Sequence, residues 1–223
     1  MDRIKALASS LLFIALCLGV EFVDEIYLKR LDPTNQLLPP PISEWDLKAF
    51  MFLNQGLASN WLDGPLWILT HLGSTLFWLL LSALLWLSGR RGDAALLASA
   101  VVVGGLLFLP LKVFLPRARP FHMVPARVLE VEGGPSFPSG HAKNVFSAAA
   151  VLGATRRRRL ILYPLAFTVS LSRIYLGVHW PLDVVAGGLT GWVIGMVAAK
   201  YRMEILGILR GLAERIGWAG LRG

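Results

Sequence analysis

Lys112 and Arg119 stand seven residues apart; Pro138-Ser139-Gly140-His141 follows, then Ser172-Arg173, with His179 and Asp183 six and ten positions beyond Arg173. The surrounding chain is strongly apolar. Charges inside or beside membrane segments are costly and mark function, so three cations, two histidines and one acid near the ends of apolar runs point to convergence on one anionic group. A phosphoryl group in transfer spreads negative charge over its equatorial oxygens, and fixed cations and amides are what stabilise it. Arg119 and Arg173 offer bidentate forks and Lys112 a point charge. Ser139 and Gly140 precede an apolar helix, which places their amides and the Ser139 hydroxyl at a helix N-terminus suited to an anion. Gly140 also permits close approach.

The two histidines have different sequence partners. His179 lies four residues before Asp183, with Pro181 suited to the first turn of the helix between them. The carboxylate can then accept a proton from one imidazole nitrogen and leave the other free to attack phosphorus. His141 has no acid nearby in sequence and sits among phosphate-binding groups, which suits it to protonating a departing oxygen. Of the other histidines, His122 reads as a solvated loop residue and His71 as a group hydrogen-bonded within the helices.

In these three motifs, in this order and with these internal spacings, the chain resembles the type 2 phosphatidic acid phosphatase superfamily, which contains membrane lipid phosphatases and vanadium-dependent haloperoxidases. The resemblance runs from Lys112 to Asp183, with apolar segments around it. It implies His179 as nucleophile, His141 as general acid and Asp183 as the orienting carboxylate, with a phosphohistidine intermediate that water hydrolyses. Lys112, Arg119, Ser139, Gly140 and Arg173 become the phosphate-binding set. Lys143 departs from the pattern, which has small or hydroxyl residues there. On a helix it lies about 200° around from His141, so it is expected to snorkel to the outer interface; the sharper reading is a contact with a second phosphate or a headgroup.

The elements that must position these residues are membrane helices. With 223 residues, 55% of them hydrophobic and 16% charged, the chain fits one domain spanning 1–223 and is too apolar for an ordinary soluble protein. Apolar stretches at 6–23, 65–88, 94–115, 142–155, 160–176 and 182–201 predict about six transmembrane helices in an all-α polytopic membrane protein. The fourth is short and must sit against its neighbours. The first imitates a signal peptide but is long for one and has no small-residue cleavage site after it, so it is expected to be retained; the lone Cys17 within it reads as packing. Residues 24–64 form the one extended polar region, where Ser43-Glu44-Trp45-Asp46 predicts the start of an interfacial helix. An amphipathic helix over 204–218 is expected on the inner leaflet.

The net charge of +8 falls mostly beside helix ends, which explains it without nucleic acid. If the N-terminus is cytoplasmic, thirteen Lys and Arg fall on the inner side, Arg156 to Arg159 among them, and six on the outer. The positive-inside rule then puts both termini in the cytoplasm and all three motifs on the outer face. No cluster has metal-ligand spacing, so the expected chemistry is a metal-independent hydrolysis with no cofactor. The expected partners are membrane lipids and a lipid phosphate or diphosphate substrate, with polyprenyl (undecaprenyl-type) diphosphate first because the 17-residue loop over 121–137 leaves little room for an elaborate headgroup. Phosphatidylglycerophosphate, phosphatidic acid and a lipid A phosphate are the alternatives. Hydropathy argues against a soluble haloperoxidase, and the intact polar set argues against a non-catalytic transporter or scaffold.

Overall fold

A computed structural model describes residues 38–215, together with Ala15. The expected first span, Cys17 and the end of the C-terminal helix beyond 215 lie outside the described residues. Among the described residues the chain is all-helical, with no β-strand. Its principal helices are α1 (Pro40–Met51), α2 (Asn60–Thr70), α3 (Thr75–Leu87), α4 (Arg91–Phe114), α5 (Gly140–Leu152), α6 (Arg156–Tyr175), α7 (Pro181–Lys200) and α8 (Arg202–Arg215).

Two of them, α4 and α7, are long and apolar enough to cross a membrane, with mean hydropathies of 2.3 and 1.6. The α2–α3 pair passes the same test if counted as one bent span, which gives two or three candidate spans among the described residues; of the six expected, the first lies outside them. That pair departs from the continuous helix expected over 65–88. The chain turns through 59° at His71–Gly73, and Ser74 restarts the helix by accepting a hydrogen bond from the Phe77 amide at 3.1 Å. The break serves packing: a Cβ on Gly73 would stand 2.6 Å from the His141 ring.

Helix α5 is the hub. Its 13 residues rise only about 20 Å, and α3, α4, α6 and α7 all pack on it. Residues Ala142 to Val145 and Ser147 to Val151 are buried on every side, so the short helix does sit within its neighbours. Against it, α7 presents Gly187, Gly191 and Gly195, where a Cβ would strike the backbone carbonyls of Ser139, Lys143 and Ser147 respectively. Two ladders of period four thus meet backbone to backbone, the close approach that small residues allow between membrane helices. This seam holds the N-terminus of α5, with Ser139 to His141, beside the N-terminus of α7, with Asp183. The Ser139 amide donates to the Asp183 carbonyl at 3.0 Å.

Helix α1 starts at Pro40, one turn before the expected Ser43 cap, because Pro40 and Pro41 supply the fixed φ and missing N–H that a first turn tolerates. Its Asp46 and Phe50, one turn apart, are buried, and the Phe50 ring lies 5.2 Å from that of Trp180. At the other end α8 is tied to α4, Arg202 pairing with Asp93 at 2.7 Å.

Candidate active site

Three chain reversals carry the polar residues to one end of the bundle. After α4 the chain turns at Leu115 and brings Arg117 and Arg119 inward; both are buried. After α6 the amides of Val178 and His179 both donate to the Arg173 carbonyl at 3.2 Å, which curls the chain so that guanidinium and imidazole enter the same space. Gly177, at φ +86°, takes the left-handed conformation that this reversal requires. The third segment, 124–139, runs over the top and delivers Ser139 to α5.

Arg119 and Arg173 face each other across a small anion seat. The Arg119 Nη1 lies 3.4 Å from His179 Nε2 and donates to the Val178 carbonyl at 2.9 Å. Arg119 Nε and Nη2 donate to the Gly134 and Gly133 carbonyls. Arg173, fully buried, donates to Thr70 Oγ1 at 2.8 Å. In the seat itself is the Glu132 carboxylate, whose Oε2 lies 2.9 Å from Arg119 Nη1, 2.6 Å from Arg173 Nη2 and 3.6 Å from His179 Nε2. Burial raises the Glu132 pKa, but Arg119 and Arg173 outweigh it and hold the carboxyl well below its usual range.

Behind His179 stands Asp183. Its Oδ2 lies 3.7 Å from His179 Nδ1, too long for a hydrogen bond, and leaves Nδ1 buried without a partner; catalytic hydrogen bonds of this kind tighten when substrate binds. The carboxylate is fixed by other donors: Arg117 Nη1 at 2.7 Å, Ser136 Oγ at 2.7 Å and the Trp180 amide at 2.9 Å. Burial, with the nearby Arg119 and Arg173 charges, pushes the His179 pKa down to about 4 against the pull of Asp183. The imidazole is therefore neutral at pH 7, with Nε2 toward the seat and Nδ1 toward the acid.

The remaining expected residues divide. His141 is close enough to feel Arg173, Glu132, His179 and Arg119, and the space left by Gly73 receives its ring. The Ser139 hydroxyl is buried with no hydrogen-bond partner, which leaves it available to an anion. Lys112 donates from Nζ to the Pro135 carbonyl at 3.2 Å, holding the loop ahead of the Ser139 turn. Lys143 is not in the group. Its side chain, 3% exposed, donates to the Val101 carbonyl at 3.1 Å and lies 5.6 Å from the centre of the Phe108 ring. It thus points at α4, neither snorkelling to the outer interface nor contacting the seat, because the absent Cβ of Gly104 leaves a slot for it. The His122 ring lies tilted beside Phe121 and the His71 ring edge-on to Trp67.

Sequence reasoning missed four participants. Arg117 bridges two buried carboxylates, Asp183 and Asp46, the latter at 2.5 Å, and Asp46 Oδ1 also accepts from the Leu182 amide. Ser136 and Glu132 are the others. Charge was the available signal for Arg117, Asp46 and Glu132, ionic groups outside the recognised motifs; Ser136 carried none. Among the described residues no group of three or more His, Cys, Asp or Glu could hold a metal ion.

This arrangement can seat a phosphoryl group between two guanidiniums and present to it an oriented, neutral imidazole. The family pattern described as the PAP2 superfamily matches residues 93–205, and the chain belongs to that superfamily; it is a membrane phosphatase. It is 34% identical over 155 residues to the undecaprenyl-diphosphatase of Sulfolobus acidocaldarius, covering 67% of this chain and 75% of that one. Among solved structures, Aquifex aeolicus LpxE superposes with a TM-score of 0.64 at 31% identity, covering 70% of this chain and 94% of LpxE. A PAP2-type phosphatidylglycerolphosphate phosphatase from Bacillus subtilis shares the fold, with a TM-score of 0.67 at 22% identity over 90% of this chain and 97% of that one.

Proposed function

We propose that the chain removes the terminal phosphate from a lipid diphosphate of the polyprenyl, undecaprenyl type, through a phosphohistidine on His179 and without a metal. The observation that carries the reading is His179 Nε2 facing the seat between Arg119 and Arg173 while Asp183 stands behind Nδ1. With the phosphate held by Arg119, Arg173, Lys112 and the amides at Ser139 and Gly140, Nε2 attacks phosphorus. The bond from phosphorus to the lipid-side oxygen breaks, and His141, entering this step as imidazolium opposite the phosphate charge, gives that oxygen its proton and becomes neutral. His141 then takes a proton from water, which cleaves the phosphorus–nitrogen bond and releases inorganic phosphate. Asp183 stabilises the imidazolium that forms in between. The polyprenyl choice rests on the Sulfolobus relative's name and on the short segment over the seat.

The test is phosphate release from detergent-solubilised protein with EDTA present, over a panel of lipids. Undecaprenyl diphosphate is expected to give the highest kcat/KM. A higher value for phosphatidylglycerophosphate, phosphatidic acid or a lipid A phosphate would reassign the substrate, and loss of activity in EDTA would overturn the metal-free mechanism.

The site is further proposed to open on the outer face of the membrane, with both termini inside, α1 at the outer interface and α8 on the inner leaflet; the asymmetry of Lys and Arg supports this. Cysteine in place of Val131, which is 80% exposed beside the seat, should react with an impermeant thiol reagent in intact cells. Labelling only after permeabilisation would reverse the orientation.

A further inference from the structure

The seat built for a phosphate is filled by the chain itself. One oxygen of Glu132 makes the contacts that a phosphoryl oxygen needs: Arg119 at 2.9 Å, Arg173 at 2.6 Å and the nucleophilic nitrogen of His179 at 3.6 Å. The Glu132 oxygen thus stands between the two guanidiniums on the side where Nε2 would meet a phosphoryl group. Glu130 adds a second, longer contact to Arg173 at 3.2 Å.

The backbone around Glu132 is pinned on both sides, after it by Arg119 at the Gly133 and Gly134 carbonyls, while the Glu132 side chain keeps some exposure. Up to Leu129 it is stitched down: Asn54 exchanges hydrogen bonds with the backbone of Arg127, and the Leu129 amide donates to the Leu176 carbonyl. Beyond it, Val131 is 80% exposed and Gly133 is exposed. The Glu132 side chain itself is 22% exposed, so rotation about its own bonds can carry the carboxylate toward solvent without displacing the backbone that Arg119 holds.

We infer that Glu132 is an intramolecular competitor for the phosphate seat, displaced when substrate binds and returning as inorganic phosphate leaves. While the seat lacks a substrate it neutralises the buried Arg119 and shares Arg173 with Glu130, which limits the cost of burying two guanidiniums side by side. It also sets a threshold of specificity, because a ligand must interact with Arg119 and Arg173 more strongly than a single carboxylate does. A phosphoryl group with two negative charges and three oxygens does so; a carboxylate or a neutral headgroup does not. Because its carboxyl is held well below the usual range, the competitor stays ionised across the physiological pH range.

The inference rests on the phosphatase reading for its site but is tested by binding, without turnover. If Glu132 fills the seat about nine-tenths of the time, the apparent dissociation constant of any phosphate is raised roughly tenfold. Calorimetric titration of inorganic phosphate into the detergent-solubilised full chain should therefore give a roughly five- to tenfold lower dissociation constant for Glu132→Gln than for wild type. Glu132→Asp keeps the charge but shortens the reach and should shift binding in the same direction. Without phosphate, Glu132→Gln should melt below wild type, and phosphate should raise its Tm by more than it raises that of wild type. Equal or weaker phosphate binding in both variants, or equal Tm gains, would show that Glu132 positions the arginines and does not compete, and would overturn the inference. If phosphate binds as expected but no lipid on the panel is hydrolysed, the functional reading fails and this one stands.

Discussion

Replacing His179 with alanine is expected to lower phosphate release by at least about a thousandfold, roughly 4 kcal/mol of barrier, while the protein still folds. In the proposed mechanism the His179 Nε2, 3.6 Å from the Glu132 oxygen that occupies the seat, is the atom that forms the bond with phosphorus. The fold should tolerate the loss because Asp183 keeps Arg117, Ser136 and the Trp180 amide as partners. Wild type mixed with labelled lipid diphosphate and quenched in base should carry acid-labile phosphate on His179, and the alanine variant none. Residual activity within about tenfold of wild type, about 1.4 kcal/mol, would remove His179 from the nucleophile's role.

The same imidazole sets the acid limb of the pH profile. Burial lowers its pKa to about 4 in the substrate-free protein, so the nucleophile is already neutral above that value and is lost only as the pH falls through it. In kcat/KM, which reports free-enzyme ionisations, the limb belonging to His179 should lie near 4 and not near the ordinary value of about 6.5. The stability contribution has the same sign. A histidine buried neutral takes up its proton in the unfolded chain first, so stability should decline as the pH falls from about 6.5 toward 4.

What the sequence reveals of this site depends on how its parts are encoded. Arg173, His179 and Asp183 sit on one reversal and one helix start, so their relation is written in a single short spacing. The PAP2 motifs record the same kind of local constraint. Arg117 is different: its partners, Asp46 and Asp183, lie 71 and 66 residues away, and no local period announces that they meet. Glu132 was hidden for another reason, since an acid in a polar loop reads as solvated until the arginines beneath it are placed. Lys143 shows the converse error. Angular position on a helix correctly separated it from His141, but the slot that receives it is made by Gly104 on another helix. Helix α5, too short and too polar to stand alone, was legible as a helix needing neighbours; the glycine ladder of α7 that supplies the closest of them was present in the sequence at 187, 191 and 195 and went unread.

Arg117 carries the second large effect. It is the cation between two carboxylates that are both fully buried, and its guanidinium also lies 5.0 Å from the centre of the Trp180 ring. Changing Arg117 to methionine leaves Asp46 and Asp183 beside each other without their common partner, and breaking a buried ion pair from one side typically costs about 3–5 kcal/mol. A marked fall in Tm is expected, together with a loss in kcat of about a hundredfold or more, because Asp183 either takes up a proton or rotates and no longer orients His179. The seat arginines are untouched, so phosphate should still bind. The decisive measurement is a double-mutant cycle. Asp46→Asn removes one of the two stranded charges, so the variant carrying both changes should be less destabilised than the two single losses added together, by about 1 kcal/mol or more of coupling. Strict additivity in Tm and kcat would mean that Asp46, Arg117 and Asp183 act separately, and that α1 has no energetic connection to the catalytic carboxylate.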